Sequence, residues 1–125
     1  MTQKSNGPGS YFDTTNAYRA MLEEYLRDSG ISGVHRARVH PRLSAAFAEE
    51  ETFGDLLGLP NVVLNARSRN DLKFGAELDT ARSLAEQAEA DFYFAIIRRS
   101  GRVLDEHYVV TSLEVLTKLL RGERP

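Results

Sequence analysis

Thr52-Phe-Gly-Asp-Leu-Leu-Gly-Leu-Pro-Asn-Val-Val-Leu-Asn-Ala-Arg67 is the stretch that decides the fold. Two apolar runs, Phe53–Leu57 and Asn61–Ala66, flank Gly58-Leu-Pro-Asn61. Gly supplies unusual φ angles, Pro presets one, and Asn tolerates the left-handed region, so this spacing predicts two strands and a tight turn. Val62-Val-Leu64 is a continuous apolar run, the mark of a strand covered on both faces. Asp55 falls on the first strand, and Asn65 and Arg67 end the second. An Asp facing an Arg across neighbouring strands predicts a cross-strand ion pair between Asp55 and Arg67.

Downstream, 68–75 reads as a polar connection. Ala81, Leu84, Ala85 and Ala88 then fall on one side of a helix predicted over about Thr80–Ala90, and their small size suits close packing on a sheet. Phe92-Tyr-Phe-Ala-Ile-Ile97 is a buried strand, Ser100-Gly101 a turn, and His107–Val110 a further short strand. The segment Thr111-Ser-Leu-Glu114 has the spacing of a capping box and opens a last helix that runs to Leu120.

Upstream, Tyr18, Met21, Leu22, Tyr25 and Leu26 recur at i, i+3, i+4, i+7 and i+8. They predict a helix over about Thr15–Ser29, capped by Asp13, Thr14 or Thr15 and ended at Gly30. The Tyr residues of this stripe are expected in the core. Gly33–His40 reads as a strand stopped by Pro41. His35 and His40 would lie on opposite faces of it, which argues against a shared metal. Residues 43–51 are ambiguous, and Glu49-Glu-Glu51 reads as a solvated acidic patch. Residues 1–12 form a polar tail without apolar periodicity, ahead of a single α/β domain over 13–125. The order α-β-β-β-α-β, then β-α, calls for one mixed sheet flanked by helices. The crossover through the second helix is expected to be right-handed.

The chain has 125 residues, enough for one domain with a core of its own. It has no Cys, which excludes disulfides and thiolate metal sites. Its 16 Lys and Arg against 18 Asp and Glu leave a charge of −2, without the basic excess of a protein that grips DNA through phosphates. Basic residues still cluster at Arg36/Arg38/Arg42, Arg67/Arg69 and Arg98/Arg99/Arg102. No apolar run reaches the ~20 residues that span a bilayer, and no secretory leader is visible, so a cytoplasmic location is expected.

The element order resembles the core of PD-(D/E)xK nucleases, in which one strand gives an Asp and the next an acid-x-Lys triplet. The text Gly54-Asp-Leu-Leu-Gly-Leu-Pro-Asn-Val-Val-Leu64 resembles a segment of the Holliday-junction-resolvase-like proteins of actinobacterial phages. Phe94-Ala-Ile-Ile-Arg-Arg99, Gly101, Tyr108-Val-Val110 and the Leu-rich final helix follow in that family's order, so the resemblance covers roughly 15–121. It implies a restriction-endonuclease-like core in which two carboxylates hold Mg²⁺, a hard cation that polarises the phosphate. By position, Asp55 matches the first carboxylate and metal ligand, Asn65 the second and Arg67 the Lys. Asn65 is neutral, and Arg67 is permanently protonated and cannot act as a base. Arg67 would also compete with a metal for Asp55. A further acid that many members carry on the first helix falls near Arg19. Lys73 is a possible substitute for the lost Lys, and one of Glu49–Glu51 for the lost acid.

Three functions follow. The first is a non-catalytic structural or assembly protein on a degenerate nuclease-like fold, from a phage or phage-derived particle. It would assemble in the host cytoplasm with other protein subunits, as a homo-oligomer, with a head–tail connector or neck position as one concrete version. It needs no cofactor. The second is a divergent Mg²⁺-dependent DNA endonuclease or junction resolvase using Asp55. The third is a DNA-binding module carried by Arg67, Arg69, Arg98 and Arg99. None of the three places the chain in a membrane.

Overall fold

A computed structural model describes residues 8–36, 54–68 and 73–125, in 8–15 the backbone alone. Among these residues three helices, α1 (Pro8–Asp28), α2 (Phe74–Ala88) and α3 (Leu113–Leu120), flank one five-stranded sheet. The strands are β1 (His35–Arg36), β2 (Leu56–Leu57), β3 (Val62–Arg67), β4 (Phe92–Ile97) and β5 (Tyr108–Val110). They lie side by side in chain order, antiparallel except for β3 and β4, which pair in parallel through α2. This is the mixed α/β architecture, with the order α-β-β-β-α-β-β-α, that the sequence predicts.

The decisive stretch folds as a hairpin, with Leu56 opposite Leu64, but its first strand begins only at Leu56, so Asp55 lies in a bend just before β2 and not on the strand. Asn61 takes a left-handed φ of 64° in its turn, a region its short polar side chain tolerates. Its Oδ1 accepts from the Asp91 amide at 2.7 Å, tying the hairpin to the start of β4. Gly54 is required by both conformation and space. Its φ is +109°, and a Cβ there would lie 2.7 Å from the Leu64 carbonyl oxygen.

Alternation along β3 divides the core. Leu64 and Ala66 face α1 and pack with Tyr18, Leu22, Val34, Leu56 and Ile96. Val63 faces the other way and packs with Ala81, Ala85, Phe92, Tyr93 and Val115. Ala81 and Ala85 are buried against the sheet as their size predicts, whereas the α1 stripe is only half used. Tyr18 and Leu22 are in the core, but Met21 and Tyr25 are exposed. The Tyr18 hydroxyl reaches His107 Nδ1 at 2.9 Å, and His107 Nε2 lies 3.0 Å from the Arg102 carbonyl oxygen. A carbonyl only accepts, so Nε2 carries the proton and Nδ1 accepts from Tyr18. Burial pushes the Tyr18 hydroxyl up to about 12, and the Arg98 charge pulls the other way.

Three expectations shift. α1 begins at Pro8, so residues 8–12 belong to the helix and not to a tail. Pro suits a first helical turn, where its missing N–H costs nothing. α2 begins at Phe74 instead of about Thr80, after Lys73, whose side chain makes no capping hydrogen bond. The cap of α3 is Ser112, which accepts from the Val115 amide at 3.2 Å. Thr111 instead donates to the Tyr93 carbonyl at 2.7 Å. The strand expected over Gly33–His40 is described only as His35–Arg36; His40 and the Glu49–Glu51 run lie outside the described residues.

Candidate functional site

Two of the residues singled out by the sequence, Asp55 and Arg67, meet at the end of β3. β2 runs antiparallel and begins only at Leu56, opposite Leu64, so the backbone N–H of Ala66 needs another acceptor. Asp55 supplies it: Oδ2 accepts from Ala66 N at 2.7 Å. The same oxygen accepts from Arg67 Nη1 at 2.9 Å. The cross-strand ion pair predicted for Asp55 and Arg67 is therefore present.

The guanidinium of Arg67 is held from a second side. Its Nε lies 3.2 Å from Glu77 Oε1 on the first turns of α2, and its Nη1 donates to the Ala66 carbonyl at 3.0 Å. Behind Asp55, Arg19 of α1 brings Nε to 3.8 Å of Oδ1. Arg19 is itself buried and donates from Nη1 to Asn16 Oδ1 at 3.3 Å. Asp55, Arg67, Glu77 and Arg19 thus form an alternating cluster of two carboxylates and two guanidiniums, none more than about a third exposed. Its formal charge is zero. Glu77 and Arg19 join α2 and α1 to the hairpin, so the cluster pins both helices to the sheet.

Asn65 faces the α2 side between Val63 and Arg67, paired in register with Ala95. It is 2% exposed, and its Nδ2 has no hydrogen-bond partner among the described residues. Lys73 is exposed at the start of α2. Arg98 is exposed beyond β4, its amide donating to the Arg67 carbonyl at 2.9 Å. Arg99 stacks over the Tyr108 ring at 5.3 Å and donates weakly to the Glu106 carbonyl. Arg69 lies outside the described residues. Of the four arginines assigned to DNA, Arg67 is thus engaged by carboxylates, and Arg98 and Arg99 leave the end of the neighbouring strand.

Chemically, this cluster is built to hold its own charges. A dication at Asp55 would have to displace Arg67 and sit beside Arg19, trading a satisfied pair for like-charge contact. Among the described residues, no group of three or more His, Asp or Glu side chains is placed to hold a metal ion. Glu77 is not legible as a site residue in the sequence, because 68–75 reads as a connection and the predicted helix starts three residues past it. The sequence marks Arg19 only as the place of a missing acid, whereas the structure makes it a partner of Asp55.

Comparison of the chain with protein families, with curated proteins and with solved structures finds no match. No helix among the described residues is long and apolar enough to cross a membrane.

Proposed function

We propose that this chain is a non-catalytic structural or assembly protein, built on a nuclease-like α/β frame whose metal position has become an internal ion-pair cluster. The observation that carries this reading is Arg67, clamped between Asp55 at 2.9 Å and Glu77 at 3.2 Å. Nuclease chemistry at such a frame needs carboxylates left with net negative charge for Mg²⁺. Here the one carboxylate at the matching position is neutralised from both sides, and Asn65 brings no charge to the other. The side chain in the place of the Lys is spent on holding the fold.

The resemblance to phage junction-resolvase-like proteins supports placing the chain in a phage-type particle, at a head–tail connector or neck. In that setting it is made in the host cytoplasm and works through contacts with other subunits. The near-neutral charge supports protein partners over a phosphate backbone.

The test is cleavage of linear and four-way-junction DNA across a Mg²⁺ and Mn²⁺ titration, with Asp55→Asn alongside. The expected result is no cleavage by folded wild-type protein at any metal level. Metal-dependent cleavage that vanishes in the variant would overturn the reading and make the chain a divergent endonuclease. Binding without cleavage, weakening steeply with salt, would make it a DNA-binding module.

A further inference from the structure

α3 is an eight-residue helix with one buried residue, Val115. Leu113 and Leu120 are 77% and 78% exposed, and Leu116 and Leu119 are 42% and 37% exposed. At ~100° per residue these four leucines fall within one arc of about 120° on the helix surface. The charged side chains of α3 lie on the other side of it. Glu114 is within 3.4 Å of the Tyr93 hydroxyl, and Lys118 donates to the Asp91 carbonyl at 3.3 Å and lies over the Phe92 ring. Those contacts anchor α3 to β4, so the leucine arc faces away from β4. Just before α3, β5 is the last strand of the sheet, and among the described residues nothing pairs with its outer edge. Tyr108 and Val109, on opposite faces of β5, are both exposed.

We infer that this face is the contact between two copies of the chain, related by a two-fold axis, with α3 against α3 and the β5 edges alongside. The inference deepens the assembly reading by naming its first partner, and it rests on that reading for its biological meaning. Two observations select a second copy. The first is area. The four leucines with Tyr108, which lies on the α3 side of the sheet, present on the order of 500 Å² of apolar side chain, and a homodimer needs ~800 Å² a side, about two-thirds of it apolar. The second is charge. In a two-fold contact only residues on the axis meet their own copies, and a charge elsewhere in the arc would be buried against leucine. The arc has none, because Glu114 and Lys118 are turned toward β4.

The test is mass by light scattering with ultracentrifugation, at about 100 μM, where a dimer of micromolar affinity is nearly saturated. Wild type should run at twice the chain mass of 14.0 kDa, and L113E/L120E at 14.0 kDa. Circular dichroism of the double variant should match wild type, since both sites are exposed, and the two should melt alike once diluted well below the dissociation constant of the dimer. The chain lacks Cys, so Leu120→Cys provides a second readout. It should form an intermolecular disulfide on mild oxidation, whereas Asp79→Cys on the exposed side of α2 should not. A wild-type protein that stays at 14.0 kDa overturns the inference, as does a complex that survives L113E/L120E. Neither result touches the cleavage assay. Dimers together with metal-dependent cleavage would sink the assembly reading and leave this interface standing.

Discussion

Replacing Asp55 by Asn separates a structural carboxylate from one poised for a metal. Asn keeps one acceptor oxygen for the Ala66 amide, so the backbone contact at 2.7 Å can survive. What goes is the charge that Arg67 meets at 2.9 Å and Arg19 at 3.8 Å. A hydrogen bond to a charged group contributes about 1.5–3 kcal/mol, and leaving a guanidinium without its partner in a partly buried site adds to the loss. The Asp55 and Arg67 side chains are 20% and 31% exposed, so solvent screening trims the figure, and about 2 kcal/mol is expected. For a domain of this size that lowers the melting temperature by roughly 6–10 °C. Arg67→Met should cost about 2–3 kcal/mol, because Glu77 then keeps a largely buried carboxylate without its guanidinium. In the double variant the two losses should not add, the shortfall being about 1–2 kcal/mol of coupling between contacting residues.

The assay is thermal and urea melting of the four proteins of this cycle, each with EDTA and with ~10 mM Mg²⁺. A site binding Mg²⁺ at ~0.1 mM would stabilise the wild type by about 2.7 kcal/mol under those conditions. The expected wild-type shift is nil. An Asp55→Asn protein as stable as wild type would refute the ion-pair argument. So would a Mg²⁺-dependent rise in melting temperature that this substitution removes.

Three other outcomes are open to measurement. Tyr18 is raised to about 12 by burial, so the unfolded chain loses this proton first as pH rises past 10; stability should fall by about 2–3 kcal/mol between pH 10 and 12. Urea melts of wild type and Tyr18→Phe should show that part of the slope missing in the variant. Gly54→Ala should cost about 3 kcal/mol or more, since it combines a φ of +109° with a Cβ 2.7 Å from the Leu64 oxygen, and an unchanged urea midpoint would contradict the close approach. Ser112→Ala removes both the α3 cap and the acceptor of the Tyr93 hydroxyl at 2.8 Å, so a loss of about 1–2 kcal/mol is expected. Amide exchange should localise that loss to α3, and a uniform rise in exchange across the sheet would contradict it.

What was legible in the sequence follows from how local each signal is. The hairpin could be read because Gly58 to Asn61 carry their turn chemistry in place. β3 and β4 could be read because strands buried on both faces are continuous apolar runs. Even the Asp55–Arg67 pair was readable, since neighbouring strands bring their long side chains within reach, although the register sets Asn65 and not Arg67 across from position 55. Helix starts were harder. Lys73 caps nothing with its side chain, and Gly75 in the first turn of α2 makes 73–79 look like a loop. At α3, Thr111 and Ser112 are equally good caps by type. Ser112 caps the helix because Thr111 is spent on the Tyr93 carbonyl, a contact from another strand. The apolar stripe of α1 is wider in sequence than the face it buries. Tyr18, Leu22 and Leu26 line the side packed on the sheet, while Met21 and Tyr25 fall on its flank. Arg19 and Glu77 could not be assigned to Asp55 and Arg67, because helix placement over a sheet is set by the whole packing arrangement and not by spacing.

The Asp at position 55 is the part of the resemblance that most invites an enzymatic reading, yet the fold supplies a sufficient reason for it. β2 begins only at Leu56, opposite Leu64, and the Ala66 amide beyond it would be left without an acceptor in a largely buried sheet. An unmade hydrogen bond there costs about 1–3 kcal/mol. A carboxylate one residue before β2 reaches that amide, and Arg67 and Arg19 then keep its charge from being stranded. The carboxylate would therefore be kept by stability alone, so its presence adds nothing to the case for metal chemistry. Arg67 discriminates more sharply. A Lys at 67 would offer one compact charge, whereas the planar guanidinium meets Asp55 through Nη1 and Glu77 through Nε at once. That double engagement is what a strut between hairpin and helix requires.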